Sequence, residues 1–282
     1  MDNKTELLGK SDNQKDSDES EKLKWQRQRR RLKEDAARKN YSYNPDWQSA
    51  INIFRDRIEK KFITPLKLLK DYGDNDGVGF SIVAIECLLI ETFAAFRSGK
   101  YFNHSYSEKN GIPYQYGDSK SLFVEFLTTV APFNAQFSPL KQKEIDNKSN
   151  LFSAPEFYTD VRCGLLHEGK TKKDWTVNLK PKEEQKGIFL GRNKNQLKIY
   201  RTVFLTKLEA YIKFYVETEL VDNCEKADEL RRNFARKMDH LYEFNTSKQK
   251  NGYEWWEYEK NTQQTWGDLF QEIIDSICFW NK

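Results

Sequence analysis

The sequence predicts a mainly α fold with a small β-hairpin inserted late in the chain and a helical appendage at the C-terminus. Three observations carry this. Trp47, Ile51, Phe54, Ile58, Phe62 and Ile63 recur at the three-to-four spacing of one buried helical stripe. The run from Val78 to Phe96 is apolar on most sides and meets a terminator at Gly99, so it reads as a central helix. The stretch "SAPEFYTDVRCGLLHEG" opens on an N-cap residue, Ser153, places Pro155 and Glu156 in its first turn, and ends at Gly169.

Composition sets the outer limits. Of 282 residues, 38% are hydrophobic and 14% aromatic, enough for a packed core, while a charged fraction of 32% exceeds the usual quarter and implies polar extensions. The net charge of +4 does not by itself announce a nucleic-acid binder. Cys87, Cys163, Cys224 and Cys278 are scattered, which argues against a zinc knuckle or a disulfide scaffold and for a reducing compartment. The N-terminus is polar and has no secretory apolar region, and two carboxylates, Glu86 and Glu91, interrupt the Val78–Phe96 run at a cost a lipid interior would not repay. A cytoplasmic protein without a membrane partner is expected.

Taken in order, residues 1–40 form a disordered, basic arm. Its second half, "EKLKWQRQRRRLKEDAARKN", has nine basic and three acidic residues and few apolar anchors, namely Leu23, Trp25 and Leu32. It reads as a solvated charged segment, as an arm along phosphates with Arg29, Arg30 and Arg31 as contacts, or as a helix docking those anchors on a partner protein. Residues 41–221 form the helical domain. Pro65 is expected to kink its first helix. "DYGDNDGVG" is a turn-rich loop, not a calcium loop, since Tyr72 and Val83 would occupy ligand positions one and twelve. A long polar loop precedes the helix "SLFVEFLTTVAP". "DWTVNLK" and "GIFLG" pair as the hairpin, and helical spacing returns from about Gln196. Residues 222–282 form the appendage, whose last part, from "YEWWEYEK" onward, holds four of the seven tryptophans.

The chemistry-bearing stretch is "VRCGLLHEGKT", residues 161–171. Four residues separate Arg162 from His167 in a chain with only three histidines. On an ideal helix they stand about 140° apart, so they do not share a face. Cys163 and Gly164 are small, and another helix can approach closely there. His167 by itself is equally a C-terminal helix histidine on the last carbonyls.

Arg, four residues, His, on a helix of an all-α domain, resembles the Arg-x4-6-His motif of the HEPN superfamily. "FYTDVRCGLLHEG", with "FRDRIEKKF" and "GFSIVAIECLLIETFAAFRSGK" upstream, resembles a bacterial HEPN-like family, over roughly residues 47–218. Cys163 departs from the polar residue that many active members place after the arginine. The resemblance implies a HEPN-like helical bundle and a metal-independent RNA endonuclease of bacterial antiphage defence or a toxin–antitoxin system. It implies a homodimer, RNA as substrate, an antitoxin or defence protein as a further partner, and no cofactor or metal. Arg162 would hold the non-bridging oxygens of the scissile phosphate and His167 would transfer protons. Glu86 or Glu91 would orient one of them, or else pair with Arg55 or Arg57. Lys170 and Lys172, just past the motif, join the arginines of the arm as RNA contacts. The alternative is a non-catalytic HEPN-like dimerisation or binding module.

Overall fold

The computed structural model describes residues 3–38, 40–71, 77–106, 114–146, 149–181, 187–193 and 196–244, with side chains from residue 17 onward. The fold is mainly α-helical, with three small sheets among the described residues. The tryptophan-rich segment after residue 244 lies outside the described residues.

Helix α1 (Asn3–Ala37) corrects the expected disordered arm. Trp25, Gln28, Leu32 and Ala36 recur at three- and four-residue spacing and are buried. Two of the three expected anchors, Trp25 and Leu32, are buried, while Leu23 stays exposed. Trp25 has no exposure, and its Nε1 donates to the buried Asp239 at 2.9 Å while its ring meets Phe234 edge-on. Burying a tryptophan of that size outweighs the weak amphipathicity of the rest of the helix.

In α2 (Pro45–Ile58) the Asn44 side chain accepts from the N–H groups of Asp46 and Trp47 at 2.9 and 3.1 Å, and Pro45 occupies the first turn. The helix then widens into a π-turn at Glu59–Ile63 before α3 (Thr64–Asp71), with the Thr64 N–H reaching back to the Glu59 carbonyl. Pro65 has no N–H to give the Lys61 carbonyl, and the wider turn accommodates the missing rung.

Helix α4 (Val78–Ser98) is the centre of the fold. It packs against α3, α5 (Ser119–Thr129), α8 (Arg201–Phe214) and α9 (Glu225–Leu241). By length and composition it is apolar enough to cross a membrane, and here its apolar side chains join the protein core. Gly99 ends it at φ 63°, and a Cβ there would stand 2.4 Å from an Arg236 nitrogen. Both the left-handed backbone and the close approach of α9 require glycine. The core around α4 is aromatic. Phe54 and Phe93 meet edge-on, Phe93 contacts Tyr211 and Tyr215, and Phe126 and Phe133 both contact Tyr211.

The loop after α4 contains a short parallel pair, β1 (Tyr101–Phe102) with β2 (Gln115–Tyr116), and the following polar stretch holds a second, β3 (Phe137–Ser138) with β4 (Phe152–Ser153). The expected hairpin is re-paired. β6 (Leu190–Asn193) forms the hairpin with β7 (Gln196–Tyr200), and β5 (Trp175–Asn178) adds to β7 in parallel. Residues 196–200, whose spacing suggested the start of a helix, are therefore strand, and α8 begins only at Arg201. Gln136 fixes the hairpin from outside, accepting from Phe189 N–H at 2.9 Å and donating to the Leu190 carbonyl at 3.0 Å.

Helix α9 corrects the boundary at 222. Its fully buried Arg231 donates to the carbonyls of Tyr41, Leu220 and Asp222 at 3.1, 2.8 and 2.7 Å and pairs with Asp228. One guanidinium thus ties the start of the helical domain, the turn after α8 and α9 together. α9 buries its own Phe234, Ala235 and Met238 in the core and covers α4, so residues up to 244 belong to the domain rather than to an appendage.

Candidate functional site

The chain enters the site through a short helical run built by local signals. Ser153 caps α6 (Ala154–Glu156) by accepting from the Glu156 N–H at 3.2 Å. The run passes through a π-turn, Phe157–Arg162, into α7 (Cys163–Glu168), and ends at Gly169, φ 66°. The returning strand is clamped to it. Lys172 N–H donates to the Asp160 carbonyl at 2.7 Å, and the Lys173 ammonium reaches the Asp160 carboxylate at 2.9 Å.

Gly164 serves that return. A Cβ there would lie 2.5 Å from the Lys170 carbonyl oxygen, so the close neighbour is the chain's own next turn and not the second helix its size suggested. The Lys170 N–H donates to the Gly164 carbonyl at 3.3 Å, which closes this short loop on itself.

Arg162 is held on three sides. Its Nη2 donates to the Glu91 carboxylate of α4 at 2.7 Å, and both side chains are about five-sixths buried, at 17% and 16% exposure. Its guanidinium lies over the Tyr158 ring at 5.3 Å, and its Nη1 is 4.0 Å from the Cys163 sulfur. Tyr158 is anchored in turn by a 2.7 Å hydrogen bond between its hydroxyl and that of Ser119 on α5. Burial alone would lower the arginine's pKa, but Glu91 and Tyr158 reverse that and raise it, so the charge is fixed. Tyr116 of β2 stands within reach of the same pair, and burial together with Glu91 pushes its phenol up to about 12. Beneath them the Cys87 thiol is raised by burial and by Glu86, and is inert as a nucleophile.

The two acidic candidates therefore part company. Glu91 meets Arg162, while Glu86 meets neither Arg162 nor His167. Glu86 is fully buried and neither carboxyl oxygen has a hydrogen-bond partner. Burial drives its pKa well up, and Arg201 opposes this only in part. The pairings with Arg55 or Arg57 are not made either. Arg55 faces Asp56, and Arg57 is taken by Asp18 and Glu21.

His167 stands exposed in the last turn of α7, with no hydrogen bond to Arg162. Exposed Leu166 lies beside it, and the outer stripe of α4 presents Phe80 and Leu88 at 39% and 46% exposure, with half-buried Ala84 between them.

The expected RNA contacts are dispersed. Arg29 is committed to the buried Asp239 at 2.7 Å, and Arg31 to Asp46 at 3.3 Å. Arg30 is exposed on the outer face of α1. Lys172 pairs with Glu168 at 2.6 Å, and Lys170 is exposed. Among the described residues, no His, Cys, Asp and Glu side chains group in a way that would hold a metal ion.

Sequence reasoning missed Tyr158, Tyr116 and Ser119. Tyr158, four residues before Arg162, was within reach of helical spacing. The others come from distant elements and carry no local signal. Scans against protein-family models, curated proteins and solved structures find no match for this chain.

Proposed function

We propose that the chain is a metal-independent endoribonuclease of HEPN type, built on a HEPN-like helical bundle and acting as a homodimer, with Arg162 and His167 as its catalytic residues. One observation carries the reading: a permanently charged arginine is clamped in place by Glu91 and Tyr158, on the same helical run as an exposed histidine. Nη2 is engaged by Glu91, and the guanidinium's other donors suit the non-bridging oxygens of a phosphodiester as charge builds in the transition state. The RNA 2′-oxygen attacks phosphorus, its proton passes to a base, and the 5′-oxygen leaves as it gains a proton from an acid. The products are a 2′,3′-cyclic phosphate and a 5′-hydroxyl. One imidazole does not reach both sides of the phosphorus at once. Two copies of His167 across a two-fold supply both groups, and the exposed Leu166 next to His167 suits a face covered by a second copy. The resemblance to HEPN proteins suits a role in antiphage defence or beside an antitoxin, and the scattered cysteines suit a cytoplasmic setting.

The second reading, a non-catalytic HEPN-like binding module, is favoured by one observation. No hydrogen bond links His167 to Arg162, and Cys163 stands between them where many active relatives place a polar residue. Incubation of purified protein with total RNA in EDTA decides. The nuclease reading expects cleavage that His167→Ala and Arg162→Ala each reduce by about 10²–10⁴-fold without unfolding the protein. Cleavage left unchanged by both substitutions would sink it.

A further inference from the structure

We infer that Phe102 is a stacking platform for an unpaired RNA base beside the Arg162 site, so that the substrate is single-stranded RNA. This rests on the ribonuclease reading and adds to it a binding surface outside the Arg-x4-His run.

Phe102 is an exposed aromatic on a braced support. It keeps 41% of its surface exposed although its strand is paired. Two rings pin it. Tyr116, its register partner on β2, stands at 5.6 Å and 63°, and His104 at 4.6 Å and 82°. Neither lies parallel to the phenyl, so neither takes the stacked place that a flat base would take. The support is held by hydrogen bonds. Asn103 Nδ2 donates to Gln115 at 2.8 Å, Gln115 Nε2 donates to the Tyr101 hydroxyl at 2.8 Å, and the Tyr101 ring stacks on His240 of α9 at 4.2 Å. A phenyl held this way loses little freedom when a base settles on it.

The strand pair leads to the clamp around Arg162. Ser119 follows Tyr116 by three residues, at most about 10 Å of extended chain. Its Oγ lies 2.7 Å from the Tyr158 hydroxyl, and the Tyr158 ring carries the Arg162 guanidinium at 5.3 Å. An RNA strand with a phosphate on Arg162 therefore meets Phe102 within its next few nucleotides. The charges nearby in sequence suit it. Lys100 before β1 and Lys120 beside Ser119 make no ion pair among the described residues, while Asp118 is spent as the cap of α5, accepting from the Lys120 N–H at 2.9 Å. The phenyl has no hydrogen-bonding group, and the side-chain amides of Asn103 and Gln115 are engaged with one another. The platform thus reads the flat face that every base has, and not base edges. Inside a duplex both faces of a base are covered by its neighbours, so the platform serves only an unpaired one.

The test is binding without cleavage. The full chain is titrated with a fluorescent single-stranded 2′-O-methyl oligoribonucleotide, which lacks the attacking hydroxyl, and with the same strand paired to its complement. Phe102→Ala should weaken single-strand binding by about 5–150-fold, the usual loss for one base–aromatic stack. Its log–log salt slope should match wild type, since no phosphate contact is lost. Phe102→Leu keeps apolar bulk without a π face and should bind as weakly as Phe102→Ala, whereas Phe102→Trp should bind at least as well as wild type. On the duplex all four proteins should bind alike. Phe102→Ala with wild-type affinity for the single strand overturns the platform and leaves the ribonuclease reading standing. So does an equal loss on single strand and duplex, or wild-type affinity in Phe102→Leu. Should wild type bind no single strand at all, the platform falls, and cleavage of total RNA in EDTA decides the ribonuclease reading separately. Phe102→Trp keeps the test open should Phe102→Ala fail to fold, since loss of binding by a folded Phe102→Trp also overturns the platform.

Discussion

Glu91 fixes Arg162, and this makes its replacement informative. Glu91→Gln keeps the shape and removes the charge, leaving the Arg162 guanidinium without its carboxylate. Arg162→Met removes the cation and leaves Glu91 without its ion pair. Breaking a fully buried ion pair by deleting one partner costs about 3–5 kcal/mol, whereas an exposed pair is worth about 0.2–1 kcal/mol. With side chains 17% and 16% exposed, the Arg162–Glu91 pair lies nearer the buried limit. Water reaching the remaining sixth reduces the cost to about 1.5–3 kcal/mol for Glu91→Gln. Urea unfolding of both single variants and the double variant, followed by circular dichroism, gives the coupling between them. We expect about 1–2 kcal/mol of coupling. A coupling below about 0.5 kcal/mol, the scatter of unconnected sites, would refute the claim that Glu91 positions Arg162.

Three further outcomes follow from the packing. Glu86 holds a proton in the folded state that the unfolded chain releases above the ordinary carboxylate range. Its contribution is fully present below that range and is lost as pH rises towards the raised folded value, by up to about 1.4 kcal/mol per pH unit, so Glu86→Gln should flatten the stability profile from about pH 5 upward. Identical profiles for the two proteins would count against a raised Glu86 pKa. Gly164→Ala would drive a methyl group to 2.5 Å from the Lys170 carbonyl, in a loop held by two backbone hydrogen bonds, and should cost about 1–3 kcal/mol in urea unfolding. No loss would mean the loop is free to move. Trp25→Ala should cost about 3–5 kcal/mol by the same measurement, since it opens a large cavity and strips Asp239 of a donor. A protein indifferent to that change, or to removal of residues 1–40, would restore α1 to the status of a free arm.

The parts of this fold that are written locally could be read locally. Asn44 with Pro45, Ser153 with Pro155, Gly99 and Gly169 mark helix ends through their own backbone chemistry, and each stands where its residue type demands. What escaped the sequence depends on partners far along the chain. Trp25 is a core residue only because Asp239 and Phe234 arrive more than 200 residues later. "LKIY" blends into the helix that follows, and becomes a strand because β5 and β6 flank it on both sides. Glu86 and Glu91 look alike in one apolar helix. Which of them faces Arg162 depends on a π-turn that no hydrophobic periodicity announces.

That wide turn has an evolutionary side. A π-turn is a helix carrying one residue more than its ladder needs, so it is a place where chain length can change without breaking the helix. Loss of a single residue between Phe157 and Val161 would let the backbone close into ordinary register, with the cap at Ser153 and the terminator at Gly169 intact. It would also turn one side of the join by about 100° against the other. Tyr158 and Arg162 could then no longer both keep their places beside Glu91 and Ser119. In chains descended from a common ancestor with this one, the site can therefore be abolished by a change in length that leaves arginine and histidine both present, and a comparison counting only substitutions would pass over the loss.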